Sequence, residues 1–446
     1  MRVKKITVNK LFGIFDHEIS LNMSDRITIL HGKNGVGKTT VLRLINGFFN
    51  SKYSELRSIP FEKLTIFFDN DTHLVIFPTK KEDTIRKNIN FSLLENATNK
   101  KLKFFEYESK AKYLGSERNF PISMIDELIP NLERIHPRRW LYLPSGELLN
   151  LDDIVERFSE YLPPLKELQS NQPEWLDNIK NSICVRFIES QRLLNIADDI
   201  SSSKLRRLEL QQKLKLPSVV SYAEDLAENI QNKLAEYGKL SQLLDRTFPS
   251  RVFQQPSSIQ LTDDELKSKL NELENKRNSL INAGLLSKDK DPNFQVEDNI
   301  DDSTRKLLSV YVEDIENKLN IFTEIAQKNE VFKRIINQKF SYKQINIDQE
   351  KGFIFTTEKG ENLSPTDLSS GEQHELVMLY ELLFKVKPNS LILIDEPELS
   401  LHVEWKIQFL KDLQEITKLT NIDIIIATHS PSLINDRWDL TVELKR

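Results

Sequence analysis

Short patterns of alternating and continuous apolar residues predict strands over the first third of the chain. Residues 2–8, 19–21 and 27–30 have the lengths and the apolar content of strands. Residues 64–68 and 73–77 flank the turn sequence Asp-Asn-Asp-Thr and therefore predict a β-hairpin. We expect this part of the chain to form an α/β lobe with added antiparallel strands.

A second region, from about residue 203 to 340, has a helical pattern that is rich in charge and almost free of glycine. Apolar residues recur in it at heptad spacing, which is typical of helices packed side by side. The heptad positions are Leu266, Leu270, Leu273 and Leu280, followed by Leu308, Val312, Ile315, Leu319 and Phe322. Proline and clustered polar residues over 247–258 and 287–302 predict turns. We expect three antiparallel helical stretches, which form either a short coiled-coil-like insertion or an ordinary bundle.

After residue 340 the pattern returns to that of an α/β fold. KQINID and FIFTT flank Gln-Glu-Lys-Gly and predict a second hairpin. The apolar runs SLILID and DIIIAT are separated by a helical pattern over 402–417, which predicts two parallel buried strands joined by a crossover helix. We therefore divide the chain into a lobe over 1–195, a helical insertion over 196–340 and a second lobe over 341–446.

The composition narrows the possible classes of function. Of 446 residues, 39% are hydrophobic and 29% are charged, and the formal net charge is −5. This balance excludes a protein that is basic throughout, although it leaves room for a local DNA-binding patch. No uninterrupted apolar run of roughly 18 residues exists, and the N-terminus alternates like a strand rather than a signal peptide. We expect a cytoplasmic protein without a membrane span.

The single cysteine, Cys184, lies within ICVRFI, a predicted strand over 183–188. One cysteine cannot form a disulfide within the chain, and no CxxC metal motif is present. We expect Cys184 to be a small buried residue of this strand.

The sequence GKNGVGKT at residues 32–39 matches the phosphate-binding pattern G-x-x-x-x-G-K-[ST] and lies between a predicted strand and a predicted helix. Its glycines permit a tight loop whose backbone N–H groups face phosphate oxygens, and the helix directs its positive end there. Lys38 is expected to reach the β- and γ-phosphates, and the Thr39 hydroxyl is expected to ligate Mg²⁺. The residues predicted to hold ATP are Lys33, Asn34, Gly35, Val36, Gly37, Lys38, Thr39 and Thr40.

Acidic residues end a second apolar strand, LILIDEPE at 391–398. Asp395 is placed to hold Mg²⁺ through water, and Glu396 is placed to act as the general base on the attacking water. A further strand, IIIATHSP at 424–431, ends in His429, whose imidazole would hydrogen-bond the γ-phosphate or the water. We predict that Glu396 and His429 are the catalytic residues.

The segment LSSGEQ at 368–373 precedes an amphipathic helix predicted over 371–386. Ser369, Ser370 and Gly371 would place hydroxyl and N–H donors at the N-terminus of that helix, where anions are favoured. The same residues are equally suited to an ordinary helix N-cap. From this segment alone both interpretations stay open.

The order GKNGVGKT, LSSGEQ, LILIDEPE, ATHS resembles that of the ABC-type ATPase superfamily, whose corresponding motifs are Walker A, the signature, Walker B and the His-switch. The resemblance implies an α/β fold, an ABC-type P-loop ATPase head with a mixed sheet, acting as a head-to-tail homodimer or higher homo-oligomer. It also implies that Ser369, Ser370, Gly371 and Glu372 contact the γ-phosphate bound by a second subunit.

Two further motifs are implied by the same resemblance. Gln191, within FIESQRLL, matches the Q-loop position and would then be an Mg²⁺ ligand. Residues 399–402 match the D-loop. In the signature, Ser370 replaces a glycine and Glu372 replaces a glutamine, and both variants resemble the SMC/RecF and OLD branches rather than transporter ATPases.

The phrases DEPELSLH and ATHSP are most similar to those of OLD-type ATPases, whose nucleases continue after the His-switch into a Toprim domain. Here DRWDLTVELKR follows, and it contains no DxD cluster. The resemblance therefore implies that a Toprim-type nuclease, if there is one, is encoded separately, as in bacterial two-gene anti-phage defence systems such as PARIS.

Three functions are compatible with these features. The first is an ATP-hydrolysing dimer that controls a separate effector in anti-phage defence. The second is an SMC/RecF-like repair ATPase that grips DNA, for which basic groupings such as HPRRW at 136–140 could supply phosphate contacts, although solvated faces have the same composition. The third is a scaffold or sensor that binds ATP and turns it over slowly.

Overall fold

The computed structural model divides into two compact units. It describes residues 1–79, 88–107, 122–143, 147–158, 161–162, 172–189, 219–254, 262–287, 301–399 and 403–445. The first unit comprises Met1–Leu216 and Val386–Arg446, and the second comprises Pro217–Lys385. The division into a first lobe, a helical insertion and a second lobe, with boundaries at residues 195 and 340, stays a prediction.

The described part of the first unit contains fourteen strands. They are β1 Val3–Leu11, β2 Phe15–Ser20, β3 Ile27–His31, β4 Lys63–Phe68, β5 Thr72–Thr79, β6 Asn88–Glu95, β7 Lys101–Tyr107, β8 Leu132–His136, β9 Arg139–Tyr142, β10 Glu147–Asn150, β11 Val185–Glu189, β15 Leu391–Asp395, β16 Asp423–Ala427 and β17 Thr441–Glu443. Along the sequence, the second unit lies between β11 and β15 of this set. The second unit contains β12 Lys343–Asp348, β13 Gly352–Thr357 and β14 Asn362–Leu363.

The described α-helices are likewise shared between the units. Those of the first unit are α1 Lys38–Phe49, α2 Tyr53–Ser58, α3 Ile125–Leu128, α4 Leu151–Arg157, α5 Glu174–Ser182, α11 Val403–Thr420 and α12 Pro431–Ile434. Those of the second unit are α6 Val219–Gln254, α7 Asp263–Asn282, α8 Asp302–Asn320, α9 Thr323–Lys339 and α10 Ser370–Tyr380.

A five-stranded parallel sheet, in the order β11-β15-β16-β3-β17, forms the centre of the first unit. β15 and β16 are apolar almost throughout because both faces of such a sheet are covered, and α11 makes the crossover between them. Leu391 of β15 pairs with Asp423 of β16, and Ile424 pairs with Ile27 of β3. The carboxyl ends of these strands therefore meet at one edge of the sheet.

A six-stranded antiparallel sheet, ordered β2-β1-β4-β5-β6-β7, accompanies the parallel sheet. The buried side chains of α1, including Val41, Leu42 and Phe48, belong to one apolar cluster with residues of both sheets. Burying a side chain of this size stabilises the fold by about 1.5–3 kcal/mol. This cluster fixes the position of α1, and with it the position of the loop before α1. The predicted α/β fold class is confirmed.

Four long helices build the helical part of the second unit, whereas the sequence predicted three helical stretches. α6 has 36 residues and passes through Pro249, so the turn expected over 247–258 is wrong for residues 247–254. The Arg251 guanidinium, which donates to the Asp314 carboxylate of α8 and to Leu244 O, ties this end of α6 to its neighbour. These tertiary contacts outweigh the local cost of a proline within a helix.

The heptad leucines behave as their spacing predicts. Leu266, Leu273 and Leu280 are buried on α7, and Leu270 is half-buried. The hairpin predicted after residue 340 is formed by β12 and β13. Among the described residues, no helix is long and apolar enough to cross a membrane.

The prediction that Cys184 is buried is wrong, because its side chain is exposed. Its neighbours Ile183 and Val185 are both buried. Extended backbone alternates its side chains between two faces, so burial of these two neighbours turns Cys184 outward. The backbone carbonyl of Cys184 still accepts from Leu391 N at 2.8 Å, at the start of β15.

Candidate active site

The loop between β3 and α1 has the backbone that the glycine pattern requires. Gly37 precedes α1 with φ +95°, and Gly32 has φ +151°. A Cβ added at Gly32 would lie 2.7 Å from the backbone oxygen of Leu444, beside the edge strand β17. Because a backbone atom cannot move aside easily, the close approach of β17 makes glycine necessary at this position.

Lys38 begins α1, and its side chain is buried beneath the loop. Its ammonium donates to Gly32 O at 2.9 Å and to Lys33 O at 3.2 Å, and it lies 3.2 Å from His429 Nδ1. Burial lowers the pKa of Lys38 from its usual value, and the carboxylates of Glu396, Asp395 and Glu398 oppose that shift. The cation is thus held by carbonyl oxygens and an imidazole, next to an acidic cluster.

Thr39 and Asp395 come together at the carboxyl edge of the parallel sheet. Thr39 Oγ1 donates to Asp395 Oδ1 at 2.9 Å, although 356 positions separate the residues. A hydroxyl and a carboxylate suit Mg²⁺, which proteins commonly hold through one or two carboxylates together with substrate phosphates. A complete protein cage is not needed, and none of the described residues form a cluster of three or more metal-binding side chains.

Glu396 follows β15 directly and has an unusual backbone conformation for a residue other than glycine, with φ +47°. Its N–H donates to Ala427 O at 2.8 Å, which anchors it to the end of β16. Glu396 Oε1 lies 3.5 Å from His429 Nε2. Walker B and the residues after β16 therefore meet at one point, as their positions at neighbouring strand ends predict.

His429 lies between Lys38 and Glu396, one nitrogen toward each. An ammonium can only donate, so His429 Nδ1 accepts from Lys38. The neutral ring then carries its proton on Nε2, the nitrogen that faces the Glu396 carboxylate. In this arrangement His429 can donate from Nε2 to an oxygen near Glu396.

The other loop residues divide into exposed and buried ones. Lys33, Asn34 and Gly35 are exposed, while Val36 is buried. His17 of β2 is also buried. Its Nε2 donates a hydrogen bond to Val36 O of the loop at 2.7 Å. Thr40 is half-buried in the first turn of α1. Sequence reasoning missed His17, because nothing near it in the chain indicates a contact with the P-loop.

The signature segment lies in the second unit, at the start of α10. Ser369 is the N-cap, and a capping box joins it to Glu372: Glu372 N donates to Ser369 Oγ at 3.3 Å, and Ser369 N donates to Glu372 Oε2 at 2.7 Å. Lys343 of β12 also donates to Glu372, at 2.7 and 2.9 Å. Ser370 and Gly371 occupy the first turn of the helix.

The charges around Glu372 keep it ionised. Burial acts to raise the pKa of Glu372, but the Lys343 ammonium and the Ser369 donors outweigh burial and lower it below the usual value. Ser369 Oγ accepts from Glu372 N, and the Ser369 hydroxyl also donates to the Glu372 carboxylate, so both ends of the capping box are engaged with each other. The helix cap is therefore formed, and the anion site that the sequence suggested at the same residues stays a prediction.

Some predicted positions cannot be placed. Gln191 lies outside the described residues, and so do residues 400–402 of the D-loop. Leu399, the first D-loop position, ends a short 3₁₀ turn over Pro397–Leu399 and is exposed.

A P-loop after a parallel strand, with an acidic residue at the end of the neighbouring strand, defines a nucleotide-binding P-loop fold. Comparison with known families agrees with this class: the chain belongs to the AAA ATPase domain family, whose model matches residues 1–434. Membership in this family identifies the chain as an ATPase-class, nucleotide-binding protein.

The chain also resembles individual proteins. It is 22% identical to the spermidine/putrescine import ATP-binding protein PotA of Mycoplasma genitalium, over 95% of this chain and 71% of that one. Among solved structures, the Smc head domain with an extended coiled coil from Pyrococcus furiosus, bound to the C-terminal domain of ScpA, has a TM-score of 0.33 at 12% identity and covers 97% of this chain and 91% of its own. The Smc head domain with a coiled coil and joint from Pyrococcus yayanosii has a TM-score of 0.32 at 14% identity, covering 100% and 95%. Structural similarities of this size do not bear on function.

Proposed function

We propose that this protein hydrolyses ATP to ADP and phosphate with Mg²⁺. The observation that carries the proposal is the convergence of five side chains at one sheet edge. Lys38 contacts His429, His429 faces Glu396, and Thr39 donates to Asp395, all within 3.5 Å. These residues come from three separate segments of the chain, and each type has a task in phosphoryl transfer.

Each side chain then has a role in the reaction. Lys38 binds the β- and γ-phosphates, and Thr39 and Asp395 would hold Mg²⁺, which offsets phosphate charge when bound. Glu396 accepts a proton as the water oxygen bonds to the γ-phosphorus and the bond to the β–γ bridging oxygen breaks. His429, with its proton on Nε2, would orient the water or a γ-phosphate oxygen.

We further propose that two chains pair head to tail, each signature completing the other chain's site. Ser369 supports this proposal because it is the N-cap at the positive end of α10. Serine and backbone N–H donors there would stabilise a γ-phosphate supplied by the partner. Gln191, as a further Mg²⁺ ligand, belongs to the same proposal.

The decisive experiment mixes two defective chains. Lys38→Ala removes the phosphate-binding cation, and Ser369→Arg places a bulky cation where the partner's nucleotide would bind. Each variant alone should lose hydrolysis, whereas a mixture should regain activity through one composite site with both intact surfaces. Single-turnover hydrolysis measures the activity of each variant and of the mixture, and light scattering measures whether dimers form. If Ser369→Arg alone hydrolysed ATP at the normal rate, the signature would be only a helix cap.

The biological use of this ATPase is a finer proposal, and it rests on the resemblance to OLD-type systems. The ATP-bound dimer would control a separately encoded effector, a Toprim-type nuclease, in anti-phage defence. Co-purification of the product of the neighbouring gene, followed by nuclease assays with and without ATP, tests this role. Co-purification of the partner to the same extent with and without ATP would contradict this role.

A DNA-gripping ATPase is the second candidate, favoured by one feature of the β8–β9 hairpin. His136, Arg138 and Arg139 are exposed at its turn and could contact phosphates. DNA should then stimulate hydrolysis, and an Arg138→Ala variant should reduce the stimulation and its salt dependence. Hydrolysis that DNA leaves unchanged would favour the first candidate, or a scaffold that turns ATP over slowly.

A further inference from the structure

Glu398, the last residue of LILIDEPE, is tied to the segment after β16. Its Oε1 accepts from Thr428 Oγ1 at 2.7 Å and from His429 N at 2.8 Å. Thr428 Oγ1 in turn accepts from Ser430 N at 3.0 Å. Three consecutive residues around His429 are thus held by one carboxylate, directly or through a hydroxyl.

The two carboxylate oxygens of Glu398 have different surroundings. Glu398 Oε2 is buried and has no hydrogen-bond partner within the described part of the chain. Both hydrogen bonds that Glu398 accepts from described residues therefore fall on Oε1. The bonds of Glu398 are concentrated on the backbone and side chain that bracket His429.

The position of the His429 ring depends on that backbone. The ring nitrogens lie 3.2 Å from Lys38 Nζ and 3.5 Å from Glu396 Oε1, distances that a small shift of the segment would change. Thr428 N also donates to Leu30 O at 3.1 Å, which fixes the segment on the β3 side. Glu398 fixes it on the β15 side, through the same short turn that carries Glu396.

We propose that Glu398 is a positioning residue that holds His429 between Lys38 and Glu396, and thereby couples Walker B to the His-switch. The proposal rests on the proposed ATPase function for its kinetic consequence, but its structural part is independent of turnover. Within the described residues, Glu398 makes no hydrogen bond to the P-loop, and it acts on Lys38 only through its charge, as Asp395 and Glu396 also do. We expect its main effect on hydrolysis to pass through His429, to which it is hydrogen-bonded.

A double-mutant cycle tests that dependence. Glu398→Ala should lower kcat by about 10²-fold, the scale of a misplacement of about 1 Å, with little change in the Kd for ATP. Glu398→Ala added to His429→Ala should cause no further loss, because the residue that Glu398 positions is already gone. A further loss by the same factor in the double variant would overturn the proposal, since Glu398 would then act independently of His429.

Conservative variants separate positioning from folding. Glu398→Gln keeps a carbonyl acceptor for Thr428 and His429 and should retain most of kcat, even if its Tm is lower. Thr428→Val removes one of the two bonds to Oε1 and should cause an intermediate loss. Glu18→Ala, which removes an exposed carboxylate of the edge strand β2, serves as the matched control and should leave kcat unchanged. Equal kcat in Glu398→Ala and the wild type would contradict the proposal.

Histidine-selective ¹⁵N NMR provides a readout that needs no catalysis. His429, assigned by loss of its signals in His429→Ala, should show a single tautomer with the proton on Nε2 in the wild type. Glu398→Ala should broaden it or average it between tautomers. Unchanged His429 signals would overturn the proposal. If the wild type did not hydrolyse ATP, the proposed function would fail and the NMR result alone would decide the role of Glu398.

Discussion

Thr39 Oγ1 donates a hydrogen bond to Asp395 Oδ1 over 2.9 Å, joining the first turn of α1 to the end of β15. The two oxygens that are proposed to serve Mg²⁺ are therefore already adjacent. Thr39→Val should remove the hydroxyl and weaken the dependence of ATP binding on Mg²⁺, whereas Thr39→Ser should preserve that dependence. Isothermal titration at several Mg²⁺ concentrations measures this. Normal Mg²⁺ dependence in Thr39→Val would contradict the assignment of Thr39.

Lys38 should matter far more for ATP binding than the lysine five positions earlier. Lys38→Ala removes a buried cation, and the loss of one hydrogen bond to a charged phosphate oxygen costs about 1.5–3 kcal/mol, so affinity should fall by at least about 10- to 100-fold. Lys33 is exposed, and its proposed contact uses its backbone N–H, so Lys33→Ala is the matched control. Similar losses of affinity in both variants would show that general charge, rather than the P-loop geometry, attracts the nucleotide.

The cap of α10 should contribute to the stability of the second unit. Ser369→Ala removes the oxygen that accepts from Glu372 N and should cost about 1 kcal/mol. Ser369→Asp keeps an acceptor at the same position and should restore most of that stability. Urea unfolding followed by circular dichroism compares the three proteins. A neutral Ser369→Ala would mean that the capping box does not persist in solution.

The ion pair of Lys343 and Glu372 should make stability depend on pH. The pKa of Glu372 is lowered in the folded chain from its ordinary value of 4.5, so its contribution is present above that value. The contribution is lost as the pH falls through the lowered pKa, because both states then bind the proton equally. Glu372→Gln should flatten this part of the acid unfolding curve, and the exposed Glu358→Gln should not.

The leucine seam of α7 gives a test of the helical packing. Leu273 is buried and Leu270 is half-buried, so Leu273→Ala should destabilise the bundle by about 2–5 kcal/mol and Leu270→Ala by less. Replacing residues 203–340 by a linker would test the helical packing less directly. It would also remove Ala223 of α6, whose backbone lies against Gly352 of β13. Thermal unfolding ranks the two single variants, and an equal effect would contradict the seam.

Periodicity and motif spacing predicted much of this architecture. Buried strands such as β15 and β16 are apolar throughout, and their polar ends had to meet at one edge, which brought Asp395, Glu396 and His429 together as expected. The edge strand β17 could not be predicted, since its three residues pair with β3 only through a distant contact. Local pattern contains no information about such pairing.

The same limit explains the misjudged residues. Pro249 indicated a turn, yet the long-range ion pair between Arg251 and Asp314 keeps the chain helical around it. Glu398 stood inside a recognised motif, but its role depends on a segment from the next strand of the sheet. Its sequence signal was only a second carboxylate two positions after the predicted general base.

The order of strands in the parallel sheet has a consequence for synthesis. β3, which leads into the P-loop, is translated long before its two neighbours in the sheet, β16 and β17. A nascent chain would therefore carry an unpaired, apolar β3 until β16 and β17 are made, at a synthesis rate of roughly 5–20 residues per second. Such non-local pairing slows folding, and the unpaired apolar edges of β3 are prone to aggregation until their partners are made. The proposed ATP site cannot form before His429 has been made, and expression at low temperature or with chaperones should raise the yield of folded protein.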